Sequence, residues 1–205
     1  MGRDVRMNGS LRESLKNRRS NYAIEGLSPV SDARIEEIVD FALLHVPSAF
    51  NSQSTRIVLL LGEHHKKLWS IVMETLKDMV PPDKFAPAKE KVDSFAAGYG
   101  TILFYDDQNV VKGLQNRFPL YADNFPVWAQ QASAMNQLVI WTMLEDEGLG
   151  ASLQHYNPII DAKVRETWSL DPEWLLVAQM PFGSIKKQPD PKTSQPVETR
   201  KKVFK

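Results

Sequence analysis

The segment "VWAQQASAMNQLVIWTMLEDEG", residues 127–148, is the longest helical pattern in the chain and restricts the fold more than any other. It is rich in Ala, Met, Leu and Trp. A helix at a protein surface keeps one apolar stripe and one polar face. This one carries more apolar surface than a solvent-facing helix should, so other structure must cover most of it. Trp128, Met135, Trp141 and Met143 are therefore read as core or subunit-interface residues rather than ligand contacts. Gly148 ends the helix. The 205 residues of the chain suffice for one domain with a sizeable core around it.

The remaining patterns mix helix and strand. "SLRESLKNR" predicts a short first helix capped by Ser10. "SDARIEEIVDFALLHV" predicts a second, with Ile35, Ile38, Val39, Ala42 and Leu43 at helical spacing and Ser31 as N-cap. "RIVLLL", "TILFY" and "WLLVAQMPFG" read as buried strands, and "ASLQ" as a short one. "HKKLWSIVMETLKDMV" is amphipathic and stops at Pro81–Pro82, and "KEKVDSFAAGYG" predicts a short helix. "NPIIDAKVRETWSL" predicts a helix with Asn157 as cap and Pro158 at its first position. The order is not a βαβ alternation. The phosphate-loop patterns GxGxxG and GxxxxGKS are both absent. An α+β layered fold fits best.

Charge and residue usage remove several functions. Lys plus Arg equals Asp plus Glu, so the net charge is zero and a dedicated nucleic-acid binder is not expected. Without cysteine there are no disulfides and no thiolate metal sites. No apolar run is long enough to span a bilayer, and "MGRDVRMNGSLRESLKNRRS" has no apolar leader, which predicts a cytoplasmic protein away from membranes. His64 and His65 are adjacent, so on a helix they point about 100° apart and make a poor metal pair. No metal site is expected. No GxSxG elbow occurs, and "EDE" at 145–147 reads as a solvated helix end. No side chain is assigned as catalytic, so a cofactor is expected to carry any reaction. Residues 184–205 differ from the body. They hold Lys186, Lys187, Lys192, Arg200, Lys201, Lys202 and Lys205 against Asp190 and Glu198, and Pro189, Pro191 and Pro196 forbid a continuous helix. This is either a solvated tail or a basic arm that wraps a partner subunit.

Four stretches can hold a ligand. "NRRSNYA" sets two guanidiniums and a hydroxyl side by side, which suits an anion. "PSAFNSQS" offers Asn and Gln amides, each donor and acceptor, for the edge of a heterocycle. "EGLGASLQHYN" lets backbone approach a ligand plane, and "FGSIKKQPDPKT" begins the basic arm.

Together with "GYGTILFY" and the long helix, these stretches occur in an order that resembles the nitroreductase family of flavin enzymes. The resemblance runs from Leu15 to about Lys202. It points to the compact branch that includes fungal proteins linked to fatty-acid repression. It implies a mixed sheet flanked by helices, an intertwined homodimer, and two FMN molecules at the subunit interface. Arg18, Arg19 and Ser20 would bind FMN phosphate, ribityl or pyrimidine edge, with Lys192 returning to the phosphate. Pro47, Ser48, Ala49, Asn51 and Gln53 would come from the other chain. Leu153, Gln154, His155 and Tyr156 would meet the isoalloxazine, partly through backbone. Tyr22 stands where many members carry a cation near the flavin edge, so the reduced flavin should be stabilised less. The activity implied is ping-pong reduction of nitroaromatic or quinone-type small-molecule acceptors by NADH or NADPH. A flavin-binding stress-response or regulatory protein with little turnover is the alternative.

Overall fold

The computed structural model describes residues 10–205. Ser10 accepts from the Glu13 amide while the Glu13 carboxylate accepts from the Ser10 amide, and this reciprocal cap starts helix α1 (Leu11–Asn17). Two residues of strand β1 follow (Ile24–Glu25), then helix α2 (Asp32–His45), capped by Ser31 as its sequence predicts. Strand β2 (Thr55–Leu61) and helices α3 (Gly62–Met79) and α4 (Pro82–Ala96) lead to strand β3 (Gly100–Asp107). Helix α5 (Gln108–Arg117), the long α6 (Phe125–Asp146), strand β4 (Leu149–Ala151), helix α7 (Asp161–Trp168) and strand β5 (Trp174–Ile185) complete the order.

The fold is α+β. The sheet runs β1-β5-β3-β2, with β4 also on β5, and every one of these pairings is antiparallel. The mixed character implied by the resemblance is reduced, among the described residues, to one parallel bridge between Ser20 and Ala151. Strand periodicity puts a core on each face. Ile102 and Phe104 of β3 join Ile35, Ile38 and Ile140 under α2 and α6. Leu103 and Tyr105 join Leu68, Trp69, Val92, Phe95 and Val164 under α3, α4 and α7.

Helix α6 is buried along much of its circumference, including Trp141 and Met143. Val127, Met135 and Leu138 remain exposed on one side. Among the described residues no helix is long and apolar enough to cross a membrane.

Four local expectations are corrected. Helix α4 begins at Pro82, which occupies the first turn where its missing N–H costs nothing, and it continues past Pro87 inside the helix. Helix α5 was not predicted: Asp107, the last residue of β3, also caps a helix by accepting from the Asn109 amide (2.9 Å). Helix α7 starts at Asp161; the Asn157–Pro158 bond is cis, and Asn157 Oδ1 instead accepts from Gln179 Nε2 at 3.2 Å. The three acids 145–147 are not a solvated end. Asn21 Nδ2 donates to Glu145 (3.2 Å), Ser14 Oγ to Asp146 (3.1 Å) and Arg34 Nε to Glu147 (2.8 Å), so each carboxylate clasps a different segment onto α6. The adjacent histidines also serve separate partners. His65 is buried between Thr101 Oγ1 (2.8 Å) and the Ala96 carbonyl (3.2 Å), whereas His64 accepts from Trp168 Nε1.

Asp106 of β3 is 2% exposed, and its Oδ1 has no partner among the described residues. Burial pushes its carboxyl up to about 6. The folded state therefore holds a proton that the unfolded chain has released between pH 6 and 4, and above pH 6 it carries a buried charge at a cost. Asp106→Asn is expected to stabilise the fold by roughly 1–3 kcal/mol at pH 8, with the gain shrinking as pH falls from 6 towards 4. Urea midpoints at pH 8 and pH 5 check this; a gain equal at both would mean that the buried charge is not its source.

Candidate functional site

The C-terminal end of α1 brings Arg18, Arg19 and Ser20 to the wall of one cavity. Arg18 is the C-cap residue, and its guanidinium lies 4.2 Å over the Trp141 ring of α6. Burial lowers its pKa and the nearby Glu145 carboxylate opposes that shift. No hydrogen-bond acceptor among the described residues engages the guanidinium, so its donors are free for a ligand. Arg19 Nη2 donates to the Asp190 carbonyl (2.6 Å), which brings the C-terminal segment back to the start of the chain.

Arg18, Arg19, Ser20, Tyr22 and Lys192 line one cavity of about 520 Å³, together with Ala23 and residues 187–190. Stretches more than 160 residues apart in sequence thus place four cations, Arg18, Arg19, Lys187 and Lys192, two hydroxyls and the Asp190 side chain around one space. Tyr22 is exposed there, its ring 6.2 Å from that of Phe95. Residue-type reasoning did not single out Asn21, which orients this segment. Asn21 is buried, donates from Nδ2 to the Arg19 carbonyl (3.1 Å) and to Glu145, and its amide donates to the Ala151 carbonyl (2.9 Å). Gly150 permits that approach, since a Cβ there would stand 2.8 Å from Asn21 Cβ.

The segment 47–53 lies elsewhere. Ser48 and Gln53 line a second cavity of about 380 Å³ with Leu43, Leu44, Asn136 and Trp174 among others, and no residue lines both cavities. Phe50, Asn51 and Gln53 all have left-handed backbone (φ 56°, 50° and 48°). Such non-glycine geometry persists only where surroundings enforce it and is common at ligand sites. Ser48 Oγ accepts from the Gln53 amide at 3.0 Å. Pro47 and Asn51 are exposed and Ala49 is half-buried. The Phe50 ring enters an aromatic cluster with Phe118, Phe125 and Trp128 at centroid distances of 4.9, 5.4 and 5.9 Å.

The quartet 153–156 lines neither cavity. Gln154 is buried and exchanges two backbone hydrogen bonds with Gln179 (2.7 and 2.9 Å), while its Nε2 donates to Ser152 Oγ. The Tyr156 amide donates to Gln179 Oε1 (2.7 Å) and its ring meets Trp69 edge-on. Leu153 packs on the α6-side core and His155 is exposed. The Gln154 side chain is therefore engaged internally. The segment still begins beside Ser20, through the Ser20–Ala151 bridge.

Residues 15–184 match the nitroreductase family, and the chain belongs to it. Membership makes it an oxidoreductase of the nitroreductase type, in a family that generally depends on flavin. Nitroreductase CinD from Lactococcus lactis, in complex with chloramphenicol, is 44% identical, with a TM-score of 0.87 over 96% of this chain and 100% of that one. The Saccharomyces cerevisiae protein HBN1 is 35% identical over 88% of this chain and 91% of its own length. The nitroreductase FRM2 of the same yeast is 31% identical over 90% and 93% respectively.

Proposed function

We propose that this chain is an FMN-dependent NAD(P)H oxidoreductase acting on nitroaromatic or quinone-type acceptors, and that it works as a homodimer with flavin between the subunits. One observation carries the reading: the two candidate stretches line two separate cavities of one chain that share no residue. One is a cation-lined cavity with free guanidinium donors; the other is a backbone-strained loop of amide and hydroxyl side chains. A phosphate suits the first and a heterocycle edge suits the second. The exposed Val127, Met135 and Leu138 on α6 and Leu43 and Leu44 on α2 supply apolar surface for a second copy to cover. CinD has been seen with chloramphenicol and with 4-nitrophenol, which supports a nitroaromatic acceptor class.

In this reading Arg18, Arg19, Ser20 and Lys192 hold the phosphate end. Ser48, Asn51 and Gln53 of the partner subunit face the ring, with Pro47 and Ala49 shaping that wall. Backbone at 153–156 borders the other side. Tyr22 offers a hydroxyl where a cation would stabilise negative charge more strongly. When bound, FMN supplies two-electron transfer from NADH or NADPH to the acceptor in ping-pong order. The chain's own residues bind and orient, and no side chain is required as a general base.

The purified protein is expected to be yellow, to release FMN rather than FAD on denaturation, and to oxidise NADH or NADPH in steady state with a quinone. Light scattering at low micromolar concentration should give twice the 23.3 kDa chain mass. A colourless protein that does not take up added FMN would defeat the cofactor assignment. A monomer with bound flavin would defeat the shared site. Flavin binding without turnover would favour a regulatory role.

A further inference from the structure

We infer that Arg56 is a positioning residue for the loop that carries Ser48, Asn51 and Gln53, acting through an ion pair with Asp107. The inference rests on the FMN reading above and concerns how that loop keeps its shape.

The loop's left-handed residues need enforcement. Most of its polar ties are internal. The Asn51 amide donates to the Ser48 carbonyl, the Ser52 amide to the Ala49 carbonyl, and the Gln53 amide to Ser48 Oγ. These close the turn on itself but do not fix it to the body. Arg56, on β2, supplies that link. Its Nη1 donates to the Gln53 carbonyl at 2.7 Å and to the Thr55 carbonyl at 3.1 Å. Its Nη2 donates to Asp107 Oδ2 at 2.9 Å. Asp107 is itself anchored: its amide donates to the Ser54 carbonyl (2.9 Å), and its other carboxylate oxygen caps α5. One guanidinium thus ties a strained carbonyl to the end of β3 and the start of α5. A planar fork with several donors suits this task, and an ammonium suits it less.

Helix α5 leads directly to Phe118, whose ring packs on Phe50 of the same loop. The loop is therefore held from outside at Gln53 by Arg56 and at Phe50 by the aromatic cluster. Without Arg56 the carbonyl of Gln53 loses its tie to the body. The backbone can then leave the left-handed region, and only a fraction of molecules keep the binding-competent loop. Apparent affinity falls in proportion to that fraction.

The test compares the whole wild-type protein with Arg56→Gln, Asp107→Asn, their double variant and Arg56→Lys. Asparagine remains a good N-cap, so Asp107→Asn removes the ion pair while keeping α5 capped. FMN dissociation constants by flavin fluorescence, visible circular dichroism of the bound flavin, and thermal midpoints are measured together. Arg56→Gln is expected to weaken FMN binding by about tenfold or more and to alter the visible dichroism, at a midpoint close to wild type. Asp107→Asn should weaken it in the same direction, the double variant should lose less than the two losses combined, and Arg56→Lys should recover part of the affinity. If Arg56→Gln does not fold, Asp107→Asn and Arg56→Lys carry the comparison. Folded variants that bind FMN within twofold of wild type would overturn the positioning role alone. A wild-type protein that takes up no FMN would overturn the cofactor reading, and this inference with it.

Discussion

Arg18→Ala is expected to weaken FMN binding by roughly ten- to a hundredfold. Hydrogen bonds to a charged group contribute about 1.5–3 kcal/mol, and each 1.4 kcal/mol is about tenfold in affinity. Arg18 lines the cation-bearing cavity, no acceptor among the described residues engages its guanidinium, and the guanidinium carbon lies 4.2 Å from the centre of the Trp141 ring. A ligand phosphate would thus meet donors already in place, with little rotamer freedom left to lose. Arg18→Lys keeps the charge but neither the fork nor the stacking, so it should fall between wild type and alanine. Glu145→Gln is the informative partner. It leaves an oxygen for Asn21 Nδ2 while removing a carboxylate that competes for the Arg18 charge, so FMN binding should hold or tighten. Turnover at saturating FMN should change far less than affinity in all three, because the phosphate end is remote from the reacting ring. Equilibrium titration with FMN and saturated-enzyme rates separate the two quantities. An unchanged affinity in Arg18→Ala would move the phosphate away from this cavity.

The fold was legible where one pattern dominated a segment. The apolar periodicity of 31–46, the apolar excess of 127–148 and the largely apolar runs of β2, β3 and β5 leave few alternatives. Segments whose structure depends on distant partners were not legible. Helix α5 spans ten residues and has only Val110, Val111 and Leu114 as large apolar side chains, so its pattern is short and mostly polar. The "EDE" carboxylates look solvated until Asn21, Ser14 and Arg34 arrive from other parts of the chain. In the candidate site, Arg18, Arg19, Ser20 and Lys192 were named from the sequence, and the structure brings all four to one cavity. Asn21 and Arg56 were not, because they hold backbone rather than a ligand, and nothing in residue type marks such a role. The left-handed backbone at Phe50, Asn51 and Gln53 was equally hidden, since no glycine announces it. Ser48 and Gln53 line a cavity that Arg18 does not share, which one chain alone cannot reconcile into a single site.

Gly183→Ala is expected to be the most damaging glycine-to-alanine change among the described residues. Gly183 lies on β5 opposite Gly150 of β4. A Cβ at Gly183 would stand 2.3 Å from the Glu25 carbonyl oxygen and 2.9 Å from the Tyr99 amide nitrogen. Both are backbone atoms, so no side-chain rotation relieves the overlap, and β1 must separate from β5. Overpacking of this kind costs about 1–3 kcal/mol where side chains can move, and a fixed backbone puts it at about 4 kcal/mol or above. For a chain of this length that lowers the thermal midpoint by roughly 8–16 °C. The consequence reaches the site, because only Ala23 separates Tyr22 from β1. Moving β1 displaces the segment 18–22, so molecules that remain folded should also bind FMN less tightly. Gly113→Ala is the matched control. Nothing lies within 4 Å of its added Cβ, and it sits inside α5, where alanine is favoured over glycine by about 0.8–1.0 kcal/mol. The same methyl group should therefore raise the midpoint at residue 113 and lower it sharply at 183, with FMN affinity following only the latter. Equal midpoints for the two variants would mean that β1 does not pack against β5 at the observed distance, and the placement of Arg18 and Ser20 that depends on it would have to be redrawn.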